Sequence, residues 1–447
     1  MEFGMEFGIL SLVPPLIVVL FGIFSRRSLE SLFIGCIVGS IMIDWKQFPG
    51  NFLSLLSETM ANPSLIWVIL VCGIYGMLIQ LIVASGSAVA FGNYLLRFIK
   101  TRKSALMTTW FTGLFVFPDD YLSALSTGVS MRNITDKFGI SRPLLAYLVN
   151  TTAAPVCAII PLSTWGVFTS KLLEDNKLVP VGQGLWGFAA TIPYNFYALF
   201  ALLVSFLVAL GFIPLFGKMK AAEMAVSTAD IATDLNHKQP AKVKPIDFIF
   251  PMFVLIGGTL LLKGDALQGA ALAFVLTIAW YFFRKVMTYD HISNQALLGF
   301  KEMILPLAIL SLSFFLKTIG DEMGLTPYVI AEVKGNFPPF LLPASLFVLL
   351  SFISYTTCSS WGLYTVALPI VIPLSLALNI NPFLMVGSVL SAGVFGSNAS
   401  FFSDCTILTA SSTECSPTTH SFSQLPYALI AFLLAAASFV VGFWTFF

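Results

Sequence analysis

Charge is scarce in this sequence. Asp, Glu, Lys and Arg make up 10% of its 447 residues against 57% apolar residues, a balance foreign to soluble domains of this length. A net charge of +1 leaves no acidic or basic field to attract nucleic acid. No Gly-rich phosphate loop is present, which argues against ATP as an energy source. Histidine is confined to His237, His291 and His420, all in polar connectors, so zinc and triad chemistry are missing from the apolar runs. The cysteines (Cys36, Cys72, Cys157, Cys358, Cys405 and Cys415) form no CxxC pair and have no His at ligand spacing. They read as small buried residues. The Gly-x-Gly-Asp signature of intramembrane aspartyl proteolysis is also missing, and catalysis has few candidates left.

What the chain has is apolar length. Runs of about 17 to 25 residues recur throughout, each able to cross roughly 30 Å of hydrocarbon as a helix. Helices are expected at 8–24, 30–44, 64–84, 143–171, 184–217, 246–263, 267–285, 299–319, 382–410 and 425–446. The run from Gly8 to Phe24 lacks a basic leader and carries Arg26 and Arg27 after it, so it is read as a membrane helix and not as a signal peptide.

Two regions differ. At 104–134 and 342–378 the apolar run is interrupted near its middle, by Phe117-Pro118-Asp119-Asp120-Tyr121 and by Thr356-Thr357-Cys358-Ser359-Ser360. Two half-length helices suit a re-entrant hairpin better than a span. The polar stretch 218–245 reads as a linker between the segments 1–217 and 246–447. With that linker in the cytoplasm, seventeen of the 23 Lys and Arg residues fall on the cytoplasmic side, and Lys46, Lys171, Lys177, Lys263, Lys317 and Lys334 on the other. Both termini are then extracytoplasmic. Each half becomes the other turned over: helices, a hairpin, a broken helix (143–171 and 382–410) and a last helix, the inverted-repeat plan of many secondary carriers.

The breaks are expected at Asn150-Thr151-Thr152-Ala153-Ala154-Pro155 and at Gly396-Ser397-Asn398-Ala399-Ser400, followed by Ser403-Asp404. Pro155 removes a backbone donor and Gly396 loosens the helix, so carbonyls and half-helix ends can face a central cavity. Amide, hydroxyl and carbonyl oxygens suit a hard cation such as Na+. Asp119, Asp120 and Asp404 are the carboxylates at membrane depth, where an Asp costs about 2.5 to 3.5 kcal/mol. Arg132, at the far end of the first hairpin run, is the one Lys or Arg in these runs, so cations from solution or protons are the natural partners. Adjacent carboxylates resist double ionisation, which suits a proton site. The competing role for Asp119 and Asp120 is to cap the second hairpin helix.

These strings carry a family resemblance: Pro118-Asp119-Asp120-Tyr121, Met131-Arg132-x-x-x-Asp136-Lys137, Ser141-Arg142, Thr152-Ala153-Ala154-Pro155 and Ser163-Thr164-Trp165, then Ser359-Ser360-Trp361-Gly362, Ser403-Asp404-x-Thr406 and Gln424-Leu425-Pro426-Tyr427-Ala428. Together they resemble the NhaC-type Na+/H+ antiporter family of the ion transporter superfamily, over nearly the whole chain. The resemblance implies an all-α elevator-type carrier, commonly a homodimer, with lipid around it and no organic cofactor, in a bacterial inner membrane. It implies Na+ or H+, or both, as coupling ion. Protons and cations are assigned to Asp119, Asp120, Asp404, Asn150, Thr151, Thr152 and Asn398, with Na+ held by Asp119, Asn150, Thr152, Asn398 and Asp404. Substrate contact or gating is assigned to Ser123, Ser163, Thr164, Thr356, Thr357, Ser359, Ser360, Ser397, Ser400, Ser403 and Thr406. The family often has an acidic residue and a His where this chain has Ser397 and Asn398. A neutral break admits an alternative, a Na+- or H+-coupled carrier of an amino acid or small organic acid.

Overall fold

The structure, a computed structural model, describes residues 7–25, 27–95, 99–226, 243–262, 265–333, 337–358, 360–401 and 403–445. Their regular structure is helical. The solvent dictates this, because in hydrocarbon every backbone donor must be satisfied within its own segment or a closed barrel. Among the described residues seven helices are long and apolar enough to cross a membrane, or eight if Gly184–Tyr194 and Phe196–Leu210, bent by 59°, form one span. Shorter apolar helices lie at Gly8–Gly22, Leu29–Ile43 and Ile246–Leu261. The protein is an all-α, polytopic integral membrane protein.

The helices on either side of the segment 218–245 succeed one another in a similar order, the first side carrying Gly184–Thr191 and Ile192–Tyr194 in addition. The first runs through Val13–Ser25, Ser28–Ile43, Phe48–Met60, Pro63–Ser85 and Ser87–Leu95, a hairpin of Arg102–Phe115 with Asp120–Lys137, and a broken helix of Arg142–Cys157 with Thr164–Asp175. The second runs through Ile246–Leu261, Ala266–Phe283, Tyr289–Glu302, Ile304–Glu322 and Leu325–Val333, a hairpin of Leu342–Thr357 with Ser360–Ala377, and a broken helix of Pro382–Ala399 with Asp404–Ser412. The halves close with Phe196–Leu210 and Pro417–Thr445, which pack on each other.

Several elements differ from the sequence reading, which expects half-length helices at 342–378, whereas Pro339–Thr357 and Ser360–Ala377 are each long and apolar enough to cross a membrane. Phe48–Met60 and Tyr289–Glu302 are amphipathic helices that a search for apolar runs passes over. Each lies against a long helix of the other half, Phe48–Met60 on Ile304–Glu322 and Tyr289–Glu302 on Pro63–Ser85. In the second contact a Cβ on Gly299 would sit 2.2 Å from the Gly76 carbonyl oxygen, and Gln80 Nε2 donates to Gln295 Oε1 at 2.8 Å. The expected helix 299–319 therefore starts only after a turn at Met303. The expected helix 184–217 is three pieces, ended by left-handed Gly211 (φ 83°). The expected linker 218–245 begins with an ordered helix, Gly217–Met224, in which Met219 is buried and Glu223 pairs with Arg102. Residues 227–242 of it lie outside the described residues.

The breaks also fall elsewhere. Arg142–Cys157 runs without interruption through Asn150 to Pro155 and stops before Ala158, while Pro382–Ala399 runs through Gly396, Ser397 and Asn398. Both helices are buried in protein along most of their length, where Asn150, Thr152 and Ser391 find partners and the backbone stays helical. Pro155 lies in the last turn, so the backbone bond it removes comes next to the helix end and leaves the turns through Asn150 intact. Gly396 serves packing instead of loosening: a Cβ there would lie 2.0 Å from Ser354 Oγ.

One device closes both true breaks. Ser163 Oγ donates to the Cys157 carbonyl at 2.5 Å and accepts from Gly166 N at 2.9 Å. Ser403 Oγ donates to the Ser397 carbonyl at 2.6 Å and accepts from Thr406 N at 3.2 Å. Each serine thus satisfies a carbonyl six residues back and caps the next half-helix three residues on.

Candidate functional site

The first hairpin turns at Pro118, and Asp119 is the N-cap of its second helix. Asp119 Oδ1 accepts from Tyr121 N at 2.9 Å and Leu122 N at 3.2 Å, and Oδ2 accepts from Thr164 Oγ1 at 2.9 Å. Thr164 N in turn donates to the Pro118 carbonyl at 2.9 Å, pinning the hairpin tip to the start of the second half-helix. Asp120 Oδ1 accepts from Trp165 Nε1 at 3.1 Å. The two carboxylates are only 3% and 4% exposed. The cap uses one oxygen of Asp119, and the other is bonded to Thr164 across the break.

Tyr121 carries the arrangement to the other half. Its hydroxyl donates to Asp404 Oδ2 at 3.1 Å, where Asp404 opens the helix Asp404–Ser412 and is exposed. A cavity of about 10 Å³ lies beside the carboxylate pair, lined by Cys72, Asp119, Asp120, Tyr121, Thr164, Met303, Leu307, Leu310 and Trp361. Its lining holds two carboxylates and no Lys or Arg. None of the ion pairs formed among the described residues includes Asp119, Asp120 or Asp404.

A second polar centre is neutral. Asn150 Nδ2 donates to the Asn398 carbonyl at 3.1 Å, to Gln424 Oε1 at 3.1 Å and to Thr406 Oγ1 at 3.4 Å, while Asn150 Oδ1 accepts from Cys405 Sγ at 3.2 Å. Tyr197 donates to Asn398 Oδ1 at 2.7 Å, and Gln424 Nε2 bonds the Asn398 carbonyl. Asn398 Nδ2 and Thr151 Oγ1 are buried without a partner. This centre joins both broken helices to the last helices of both halves.

The residues singled out from sequence therefore divide. Asp119, Asp120 and Thr164 meet at the first centre with Asp404 bridged to it, and Asn150, Asn398, Thr406 and Ser403 meet at the second. Thr152 donates to its own helix at Leu148 O (2.8 Å) and sits where a Cβ on Gly113 would touch it, away from both networks. Ser123 is buried without a partner one turn after Asp119. Thr356 and Thr357 bond carbonyls of their own helix, each at 2.9 Å to Ile353 O. Ser360 donates to the Gly393 carbonyl at 2.7 Å, and Ser400 Oγ lies 3.0 Å from Cys358 Sγ, so the second hairpin tip is pinned to its own broken helix. The second expectation at that tip, Ser359, lies outside the described residues. Ser163 and Ser403 close the breaks, and Ser397 contributes its carbonyl.

Tyr121, Trp165, Tyr197, Cys405 and Gln424 take part as well, without a role read from the sequence. Tyr121, Trp165 and Gln424 stand in the strings that carry the resemblance, and the last helix starts at Pro417, which brings Gln424 onto it. Tyr197 sits in an apolar run, which carries no signal for it.

Comparison with known proteins bears on this geometry. The profile of the Na+/H+ antiporter family matches residues 186–444. An uncharacterized protein of Haemophilus influenzae is 29% identical, across 97% of this chain and 91% of its own. Among solved structures, the YdaH transporter of Alcanivorax borkumensis, noted for an unusual topology, superimposes with a TM-score of 0.60 at 12% identity over 88% of each chain. MtrF of Neisseria gonorrhoeae, from a class of antimetabolite efflux pumps, gives 0.54 at 13% identity over 90% of this chain and 84% of its own. At such identities the structural likeness is one of fold.

Proposed function

Since the chain belongs to the Na+/H+ antiporter family and is a secondary transporter, we propose that Asp119 and Asp120 form its coupling site, where Na+ and H+ bind in competition. The observation that carries this reading is the cavity beside the pair, at about 10 Å³ the size of a single water or a small desolvated ion. Buried carboxylates need a positive partner. Backbone donors, Thr164 and Trp165 supply hydrogen bonds but no charge, which leaves that place to a cation or a proton.

In this reading the two halves are inverted repeats, both hairpins are re-entrant, and their tips gate the site from opposite sides. The neutral centre at Asn150 and Asn398 couples the broken helices, so that they move as one body in an elevator motion of a homodimer. The linker faces the cytoplasm of a bacterial inner membrane and the termini face outward. Asp404, reached through Tyr121, completes the acidic path on the exposed side.

A second reading rests on the unpartnered Asn398 Nδ2 and Thr151 hydroxyl, which leave a neutral centre able to recognise a polar group of an amino acid or small organic acid. Proteoliposomes holding a pH-sensitive dye separate the two. An imposed Na+ gradient alone drives proton movement in the first, and Asp119→Asn or Asp120→Asn stops it. Silence with Na+ alone, together with Na+-dependent accumulation of one solute from a labelled panel, establishes the second.

A further inference from the structure

A second cavity is almost wholly apolar and includes neither carboxylate in its lining. It measures about 190 Å³ and lies between the first helix, Val13–Ser25, and the second hairpin. Helical spacing builds its walls: Val18, Val19 and Gly22 from the first helix, Leu350, Ile353 and Thr357 from one hairpin arm, and Val366 and Ile370 from the other. The lining is hydrocarbon apart from the hydroxyls of Ser31 and Thr357, and Thr357 already donates to Ile353 O. The cavity closes at the hairpin tip, where a Cβ on Gly22 would lie 3.1 Å from Thr357 Cγ2.

We propose that this cavity holds an acyl chain of a membrane phospholipid, packed behind the tip of the second hairpin. An apolar cavity of roughly 150 Å³ takes up benzene in preference to water, so the apolar walls of this one, at about 190 Å³, have room for an alkyl segment. The cavity is also continuous with the lipid-facing surface. Its wall residues on the first helix stand beside exposed Leu16 and Leu20, and those on the hairpin beside exposed Val348, Leu349 and Phe352. In an integral membrane protein those faces meet acyl chains, the most abundant apolar molecules at hand. A chain seated there replaces the dispersion contacts that the void forfeits and holds the hairpin against the first helix.

The test uses the full chain in phosphatidylcholine liposomes doped with phosphatidylcholine carrying a diazirine midway along one acyl chain. After irradiation, mass spectrometry of the peptides is expected to find adducts on Ile353 and Val366 as well as on exposed Leu349 and Phe352. Val19→Trp fills the cavity and is expected to remove the inner adducts while leaving the outer ones. Ala367→Phe fills it from the opposite wall and serves if Val19→Trp does not fold. Adducts confined to Leu349 and Phe352 in the unsubstituted protein overturn the proposal, as do inner adducts that persist in a folded, filled variant. A cross-link of these walls to a second copy of the chain overturns it as well.

Discussion

The Tyr121 hydroxyl donates to Asp404 Oδ2 across 3.1 Å and so joins the tip of the first hairpin to the second broken helix. The two helices that start there run side by side. Ser412 Oγ donates to the Ala124 carbonyl at 2.8 Å, and Arg132 meets Glu414 at 2.6 Å at the far end. The helix that Asp404 opens is therefore held to the hairpin at both of its ends.

Replacing Tyr121 with Phe removes the bond and keeps the ring. A hydrogen bond to a charged group is worth about 1.5 to 3 kcal/mol when buried, and Asp404 is exposed, so a loss of a few-fold in apparent Na+ affinity is expected. Na+-dependent dye response against Na+ concentration measures it. An unchanged affinity shows that Asp404 stands outside the site.

At Asp119 two substitutions separate capping from charge. Asn caps a helix as well as Asp does, so Asp119→Asn is expected to retain stability and lose transport. Ala caps poorly, and Asp119→Ala is expected to lose transport together with about 1 kcal/mol of stability. Thermal unfolding in detergent alongside transport reads both effects. Equal stability of the two variants shows that the cap contributes nothing.

Ser163→Ala and Ser403→Ala test the equivalence of the halves. Each removes an N-cap and strands a buried carbonyl, at Cys157 and at Ser397 respectively. Similar destabilisation is expected, about 1 to 3 kcal/mol each. A large cost at one position and none at the other means that the breaks are not built alike.

Gly113→Ala places a methyl group 1.9 Å from Thr152 Oγ1. Overpacking of this kind costs about 1 to 3 kcal/mol, and the loss is expected to shrink when Thr152→Gly is added. Thr152 is then a packing residue. Additive losses in the pair remove that conclusion, and impaired Na+ binding in a well-folded Thr152→Ser variant restores Thr152 to the site.

The sequence exposes the acidic tip because Asp119 and Asp120 interrupt an apolar run, and a charge at membrane depth has to be accounted for. It misplaces the breaks because polar residues such as Asn150, Thr151 and Asn398 mark burial against protein as readily as they mark an interrupted backbone. The breaks themselves are set by Ser163 and Ser403, whose role depends on which carbonyl lies six residues back. Phe48–Met60 and Tyr289–Glu302 escape a hydropathy search because half of each helix is polar. Tyr197 reaches Asn398 from 201 residues away, a relationship that only packing creates.

In the proposed mechanism a Na+ ion and a proton exchange at the Asp119 and Asp120 pair. Its most direct measurement adds NaCl to the purified protein in weakly buffered detergent solution and follows the pH. Proton release that saturates with Na+, is not produced by choline chloride, and vanishes in Asp119→Asn and Asp120→Asn is the predicted result. No release, or release unchanged in both variants, contradicts it.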